Sequence, residues 1–595
     1  MPPAAPPPSS PALGPLGRHF SWRELWDLVR PYWFGSDRWA GRGLLALVVG
    51  LNLGMVYLNV LFNQWNNSFY TALQKLDYPA FTHQLLRFCM LAAFYIAAAV
   101  YQLYLNQALQ IRWREWLTKH YLDHWLSHHA YYRLQLDGVT DNPDQRISDD
   151  LRSFVGLTLS LSLGLLSSVV TLASFCAILW TLSGALHFPL FGHAISIPGY
   201  MVWAALVYAI VGSWLTHWIG RPLIGLNFNQ QRYEADFRYS LVRLRENAEA
   251  VALYGGEAHE RGTFVDRFSY VVGNWWALIR RQKKLTWFTA GYSQAAVVFP
   301  FLVAAPRYFS KSIELGGLMQ TASAFGQVQG ALSYLVGAYT DIADWRSIVD
   351  RLIGFKMAVE GYAAAPGATA ITLEPGSAAG LAVEDLALNL PDGSALMAPA
   401  AFRIEPGEQV LISGPSGSGK STLFRALSGI WPFGRGRIRL PAQARVMFLP
   451  QKPYMPLGTL AAALAYPDEP SASEDGDKAA ALVDCGLASL VPRLQETENW
   501  GQALSPGEQQ RLAFARVLLK KPDWLFLDEA TASLDEPMER MLYGILQRRL
   551  PRLTLVSIGH RAGLAAFHNH RMSVEPSADG TGMLKDAGPA YAAGE

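Results

Sequence analysis

Two stretches in the C-terminal third carry residue types and spacings suited to phosphate chemistry. Gly414, Pro415, Ser416, Gly417, Ser418, Gly419, Lys420 and Ser421 fit the pattern G-x-x-x-x-G-K-[ST], and Thr422 follows. QVLIS precedes them and STLFRALSGI comes after, so the expected context is strand, loop and helix. Glycines let backbone N–H groups turn inward as an anion nest, and the helix N-terminus adds its dipole. In that geometry Lys420 is expected to reach the β- and γ-phosphates of ATP, and Ser421 to bind Mg2+. The second stretch, Trp524-Leu525-Phe526-Leu527-Asp528-Glu529, is an apolar strand ending in two acids. A buried strand delivers such carboxylates at its C-terminal edge, beside the phosphate loop. Asp528 is the expected Mg2+ ligand, and Glu529 the group that activates or orients an attacking water.

Between the two stretches lies Leu504-Ser505-Pro506-Gly507-Glu508-Gln509-Gln510-Arg511, followed by LAFARVLL. LSxG[QE]QQR between a phosphate loop and LFLDEATASLD resembles the signature of ATP-binding-cassette (ABC) proteins. The remaining parts stand in that family's order. Phe448-Leu449-Pro450-Gln451 resembles the Q-loop, whose Gln senses Mg2+ and faces the transmembrane domain. Ser533-Leu534-Asp535 resembles the D-loop, and Ile558-Gly559-His560-Arg561 the switch histidine. The resemblance implies that Glu529, His560 and Gln451 serve hydrolysis and that Ser421, Gln451 and Asp528 serve Mg2+. It also implies that Ser505, Gly507 and Glu508, at a helix start that favours anions, close on the γ-phosphate held by a partner subunit. One chain carries one cassette, so a homodimer with two equivalent sites is expected.

The sequence departs from the family in two places. The signature has Pro506 and Glu508 where Gly and Gln are commonest. Glu is familiar there in one subgroup, so activity is expected to survive. The family also usually has an aromatic before the turn upstream of the phosphate loop, for stacking on adenine. Here that place reads Leu388-Asn389-Leu390-Pro391-Asp392-Gly393, and Leu390 has no π-face. Either another aromatic, such as Phe402, covers the base or the phosphates supply most of the affinity.

The rest of the chain must position this chemistry. Of 595 residues, 51% are hydrophobic and 16% charged, against ~25% charged in an average soluble domain. The mean hydropathy of +0.11 suggests a mixture of membrane and soluble parts. A net charge of +2 excludes a nucleic-acid binder of the strongly basic kind. Three cysteines at no metal spacing exclude a disulfide scaffold and a zinc site. Six apolar stretches, about 43–63, 88–110, 155–182, 200–220, 289–309 and 322–342, approach the ~20 residues that a bilayer span needs. The sixth is the least hydrophobic, and its Gln327, Gln329 and Asp341 are expected to face the bundle interior or its ends. Segment 111–152 carries six Lys/Arg and segment 221–284 eleven, whereas 184–199 carries none and 64–87 two. By the positive-inside rule the basic segments and the N-terminus are cytoplasmic, and both segments read as helices prolonging the spans.

The expected fold is therefore an all-α six-helix transmembrane domain followed by an α/β P-loop nucleotide-binding domain. Residues 1–19 read as a disordered, Pro-rich N-terminus. Residues 20–350 read as the transmembrane domain, opening with an amphipathic helix in the membrane surface. A linker is expected at 351–380, the cassette at 381–575 and a loose tail at 576–595. Six spans and near-zero charge argue against a non-transport ABC ATPase of DNA repair or translation. Glu529 and His560 argue against a receptor that uses nucleotide only as a switch.

Six spans before one cassette is the half-transporter architecture. Tyr131-Tyr132-Arg133 leading to Asp141-Asn142-Pro143-Asp144-Gln145-Arg146-Ile147, Asn229–Arg238 running on to Leu244–Gly256, and Phe69–Lys75 are similar to SbmA/BacA-like transporters fused to a cassette. Peroxisomal fatty-acyl half-transporters share the NPDQRI stretch. The resemblance implies a homodimer in contact through both domains and with membrane lipid, in a bacterial inner membrane. Its cargo would be peptides or varied hydrophilic solutes, with fatty-acyl or lipid-like substrates as the alternative.

Overall fold

The computed structural model describes residues 21–35, 37–137, 143–190, 193–364, 371–376, 380–577 and 580–589. The expected N-terminal segment 1–19 and the Asp141-Asn142 part of the NPDQRI stretch lie outside the described residues. The chain divides at 123/124, 141/142 and 357/358 into two compact units.

The first unit opens with α1 (Trp22–Phe34), started by a reciprocal Ser21–Glu24 capping box. It buries Leu28 and Tyr32 and exposes Trp22 and Trp26. Then come α2 (Arg38–Gln74) and α3 (Tyr78–Leu126). The next helix, α4 (Ala130–Asp137), belongs to the second unit. The short α5 (Pro143–Gln145) and a π-helical turn, Arg146–Asp150, return the chain to α6 (Leu151–Ser183). A hairpin of β1 (Ala185–Leu190) and β2 (His193–Pro198) leads to α7 (Tyr200–Glu246), α8 (Ala248–Tyr254) and α9 (Glu257–Phe309). At ~1.5 Å per residue α9 is about 80 Å long, so the basic segments do prolong the spans as helix.

The helical segments containing α2, α3, α6, α7 and α9 are long and apolar enough to cross a membrane, by length and composition. The sixth expected span, 322–342, falls on α10 (Leu315–Gly337) and the start of α11 (Tyr339–Ala364). Helix α10 packs on α2, α6, α7 and α9 and fully buries Ala324, Phe325 and Val328. Its weak hydropathy follows from that position. Gln320 donates to the Asn63 side chain (3.1 Å), and Asn63 donates back to the Gln320 carbonyl (2.9 Å).

The second unit is a cassette around a ten-stranded sheet. In chain order its elements are β3 (Ile371–Gly376), β4 (Leu381–Asn389), β5 (Ala395–Ile404), β6 (Gln409–Ser413), α12 (Lys420–Leu427), β7 (Gly434–Pro441) and β8 (Val446–Leu449). Then come β9 (Gly458–Thr459), α13 (Leu460–Ala465), α14 (Asp475–Asp484), β10 (Thr497–Glu498), α15 (Trp500–Ala503) and α16 (Pro506–Lys520). The chain continues through β11 (Trp524–Asp528), α17 (Glu536–Arg549), β12 (Thr554–Ile558), β13 (His570–Pro576) and β14 (Gly582–Pro589). Strands β13-β6-β12-β11-β8 form a parallel core, whose buried Val410, Phe526 and Val556 are the continuous apolar runs such strands need. The wing β3-β7-β4-β5 is mostly antiparallel, and β14 joins it to the core.

Two expected boundaries differ. The linker 351–380 is helical to Ala364, where Leu352, Phe355 and Val359 are buried, and it supplies β3. The tail 576–595 supplies β14, which pairs antiparallel with β13. Gly, Ala and Pro content hid strands β3 and β14, because strand pairing satisfies backbone groups whatever the side chains are.

Candidate functional site

Strand β6 ends in the phosphate loop, and α12 begins at Lys420. Gly414, Gly417 and Gly419 have φ of 150°, 80° and 91°, a backbone region that favours glycine. A Cβ on Gly414 would collide with the Val574 carbonyl oxygen, so this loop also needs glycine for space. The Lys420 ammonium donates to the carbonyls of Gly414 (2.9 Å) and Pro415 (2.6 Å). Burial lowers its pKa, and the nearby charges of Glu529 and Asp528 oppose that shift.

The carboxylates arrive at the end of β11. Asp528 Oδ1 accepts from the Ser421 hydroxyl at 2.9 Å. Burial raises the Asp528 pKa, the Ser421 hydrogen bond lowers it, and the Glu529 charge raises it. Two hard oxygen donors at a desolvated strand end fit Mg2+, which typically takes one or two protein oxygens and the rest from phosphates and water. Glu529 has φ of 46°, strained for a residue with a Cβ. That turn brings one carboxylate oxygen to 3.0 Å from His560 Nε2 and lets the other accept from the Gln451 amide at 3.1 Å. Lys420, Ser421, Gln451, Asp528, Glu529 and His560 thus form one constellation of donors, acceptors and a water-accessible carboxylate.

Ser505 caps α16. Its N–H and hydroxyl both donate to the Glu508 carboxylate, at 2.9 and 2.7 Å. These bonds hold the Glu508 carboxyl below the usual range. Glu508 thus completes a capping box. Among the described residues, no hydrogen bond joins Ser505, Gly507 or Glu508 to the phosphate-loop constellation.

Sequence reasoning missed three features. Buried Gln510 donates to the Gln451 carbonyl (3.2 Å) and accepts from the Ser533 N–H (2.9 Å), tying Q-loop to D-loop. Arg561 donates to the carbonyls of Leu534 (2.7 Å) and Ala532 (3.1 Å). Leu136 of α4 packs against the core cluster that contains Phe424 and Trp431, so this piece of the N-terminal half is part of the cassette unit. Gln510 and Arg561 stood inside the quoted motifs without a role, and only the fold supplies their partners. The Phe402 alternative is not favoured by its placement, since Phe402 packs against that same core cluster. Leu390 lies in the β4–β5 turn, its N–H bonded to the Ser394 carbonyl at 2.8 Å.

Residues 28–309 match the family described as ABC transporter transmembrane region 2, and residues 397–532 the family described as ABC transporter. An "Uncharacterized ABC transporter ATP-binding protein" of Haemophilus influenzae is 39% identical over 89% of this chain and 88% of its own length. The "Inner membrane ABC transporter ATP-binding protein YddA" of Escherichia coli is 34% identical over 90% and 94%. The "Lysosomal cobalamin transporter ABCD4" of Homo sapiens is 29% identical over 78% and 79%. A bacterial Atm1-family ABC exporter solved with ATP bound shares the fold, with a TM-score of 0.69 at 18% identity over 90% of this chain and 93% of that one. The chain therefore belongs to the ABC transporters, as a multi-pass membrane half-transporter whose single cassette hydrolyses ATP to drive transport.

Proposed function

We propose that this chain acts as a homodimer in the bacterial inner membrane, with an SbmA/BacA-like affiliation, and moves peptides or varied hydrophilic solutes. One observation carries the dimer. The signature residues Ser505, Gly507 and Glu508 bond within α16 and not to the chain's own phosphate loop, so a second copy is the natural source of the missing half of each site. In this reading Gly414–Thr422 cradle the triphosphate, and Lys420 exchanges its loop carbonyls for β- and γ-phosphate oxygens. Ser421, Gln451 and Asp528 would hold Mg2+, which supplies charge neutralisation at those oxygens. Glu529 takes the proton of the attacking water, and His560 and Gln451 hold its two oxygens in place. The E. coli relative supports the inner-membrane location.

Hydrophilic cargo is supported by the polar side chains within the spans, among them Asn52 and Asn59 on α2, Gln102 and Asn106 on α3, and Gln327 and Gln329 on α10. The human relative named for cobalamin agrees. A second reading, fatty-acyl or lipid-like cargo, is favoured by an apolar cleft of about 490 Å³ between α7 and α9, walled by Trp203, Val207, Tyr208, Phe288, Tyr292 and Phe299. Reconstitution into sealed vesicles with ATP, offering a labelled peptide, a labelled polar vitamin and an acyl-CoA, separates the two readings. Accumulation of the acyl-CoA alone overturns the first. For the dimer, Glu529→Gln with MgATP should run as a closed pair while hydrolysis falls by at least ~10²-fold. A species near one 65.7 kDa chain overturns the shared site.

A further inference from the structure

The last strand of the chain lies against the phosphate loop. A Cβ on Gly582 would stand 2.6 Å from the Ser418 carbonyl oxygen, 3.1 Å from Val574 Cγ1 and 3.5 Å from the Leu396 carbonyl oxygen. Two of those three walls are backbone and cannot swing aside as a flexible side chain can. Gly582 does not have the left-handed φ that its neighbour Gly580 has (85°), so glycine is needed here for space rather than for conformation. The same residue is the seam of the sheet, because β14 meets β5 at the single pair Gly582–Met397. On one side of that seam lies the wing that carries the Leu390 turn. On the other lies the parallel core that carries the phosphate loop.

We infer that Gly582 is a positioning residue for nucleotide binding, setting the phosphate loop's backbone against the wing through its contact with Ser418. Gly414 is backed in the same manner by the Val574 carbonyl, and Gly419 more loosely by the Leu396 side chain. The loop thus rests on β13, β14 and β5 along its rear face. Displacing the Ser418 carbonyl tilts the neighbouring N–H groups away from the anion they are built to meet, and charge-assisted bonds of this kind are sensitive to distance and angle.

The test uses the full-length protein in detergent. Gly582→Ala should weaken both MgATP and Mg2+-tripolyphosphate binding by about ten-fold, the scale of one spoiled charge-assisted hydrogen bond. The rate at saturating ATP should stay within about two-fold, because Glu529 and Asp528 on β11 are untouched, so the change is in KM rather than kcat. Gly580→Ala is the matched control. It strains the same hairpin, but its Cβ meets nothing within 4 Å, so binding should be that of the wild type. Leu396→Ala adds no bulk and removes the side chain behind Gly419. It should show the same split in smaller measure, and it keeps the test alive should Gly582→Ala not fold. Wild-type affinity in both Gly582→Ala and Leu396→Ala overturns the inference. So does an equal loss in Gly580→Ala, which would reduce the effect to hairpin integrity. A loss for ATP that spares tripolyphosphate overturns it as well, since the phosphate loop would then be in place.

Discussion

On the resemblance, Leu390 stands where an aromatic is expected to face the base, and Phe402 packs against the cassette core. Leucine covers a ring edge with apolar surface but lacks a π-face, so ATP and GTP should bind with similar affinity. Leu390→Tyr should tighten ATP binding by up to ~10-fold, the low end of aromatic–base stacking. Maximal hydrolysis should be unchanged, because the base is remote from the γ-phosphate. Titration of both nucleotides into wild type and variant checks this, and a strong wild-type preference for ATP would show that another stacking partner exists. A second residue sets a pH limit. His568 is buried, with Nδ1 2.7 Å from the Leu564 carbonyl and Nε2 2.9 Å from Ser557 Oγ, which lies 3.2 Å from the Tyr543 hydroxyl. The carbonyl can only accept, so Nδ1 carries the proton and Nε2 accepts from Ser557. Burial pushes the His568 pKa down to about 4 from 6.5. The unfolded state therefore takes up the proton first as pH falls. Cassette stability from this group is complete above pH 6.5 and is lost as pH drops towards 4, by about 3 kcal/mol in all. Denaturant unfolding of wild type and His568→Gln across pH 4–7.5 should show this slope in the wild type only.

At the scale of elements, Asp150, three residues beyond the NPDQRI stretch, ties two helices together. Asp150, in the π-helical turn before α6, accepts two bonds from Arg351 of α11 (2.9 and 2.8 Å) and one from Arg146 (2.7 Å). Both elements lie a few residues from where the chain passes into the cassette unit, at 141/142 and 357/358. A buried ion pair is seldom needed for stability alone, whereas removing one member leaves the others desolvated and unpaired. Asp150→Ala should therefore cost about 3 kcal/mol locally, the low end for a broken buried pair, because the Arg351 side chain keeps 33% of its surface in water. Hydrogen exchange of the Arg146–Asp150 and α11 amides measures that cost, with Asp149→Ala as the exposed comparison. Equal protection in both variants would show that the helices are held by apolar contacts such as Leu352 and Phe355.

For the whole molecule, the proposal turns on two copies sharing two sites. Ser505→Arg should abolish hydrolysis by itself, and so should Lys420→Ala. Mixed in equal amounts before reconstitution, half of the randomly formed dimers pair one variant with the other. Each such dimer regains one site, built from the intact phosphate loop of one chain and the intact signature of its partner. Activity should return to roughly a quarter of wild type, as isologous pairing requires. No recovery on mixing would place the signature in cis, and full activity of Ser505→Arg alone would remove Ser505 from the hydrolytic site.

The residues proposed to do the chemistry were legible in the sequence because their motifs are local. A glycine loop between strand and helix, an apolar strand ending in Asp528-Glu529, and a helix start at Ser505 are all set within a few residues, where backbone stereochemistry leaves little choice. The α/β class and the long membrane helices followed from apolar period and length in the same way. What only the tertiary structure decided is which distant groups meet. Glu529 lies between His560 and Gln451, Gln510 ties the Q-loop to the D-loop, and Asp150 meets Arg351. The Gly-rich tail becomes the strand behind Ser418, and a helix from the N-terminal half packs into the cassette unit. Each of these depends on strand order or helix docking across tens to hundreds of residues, where the local pattern fixes which face is buried but not which distant element covers it.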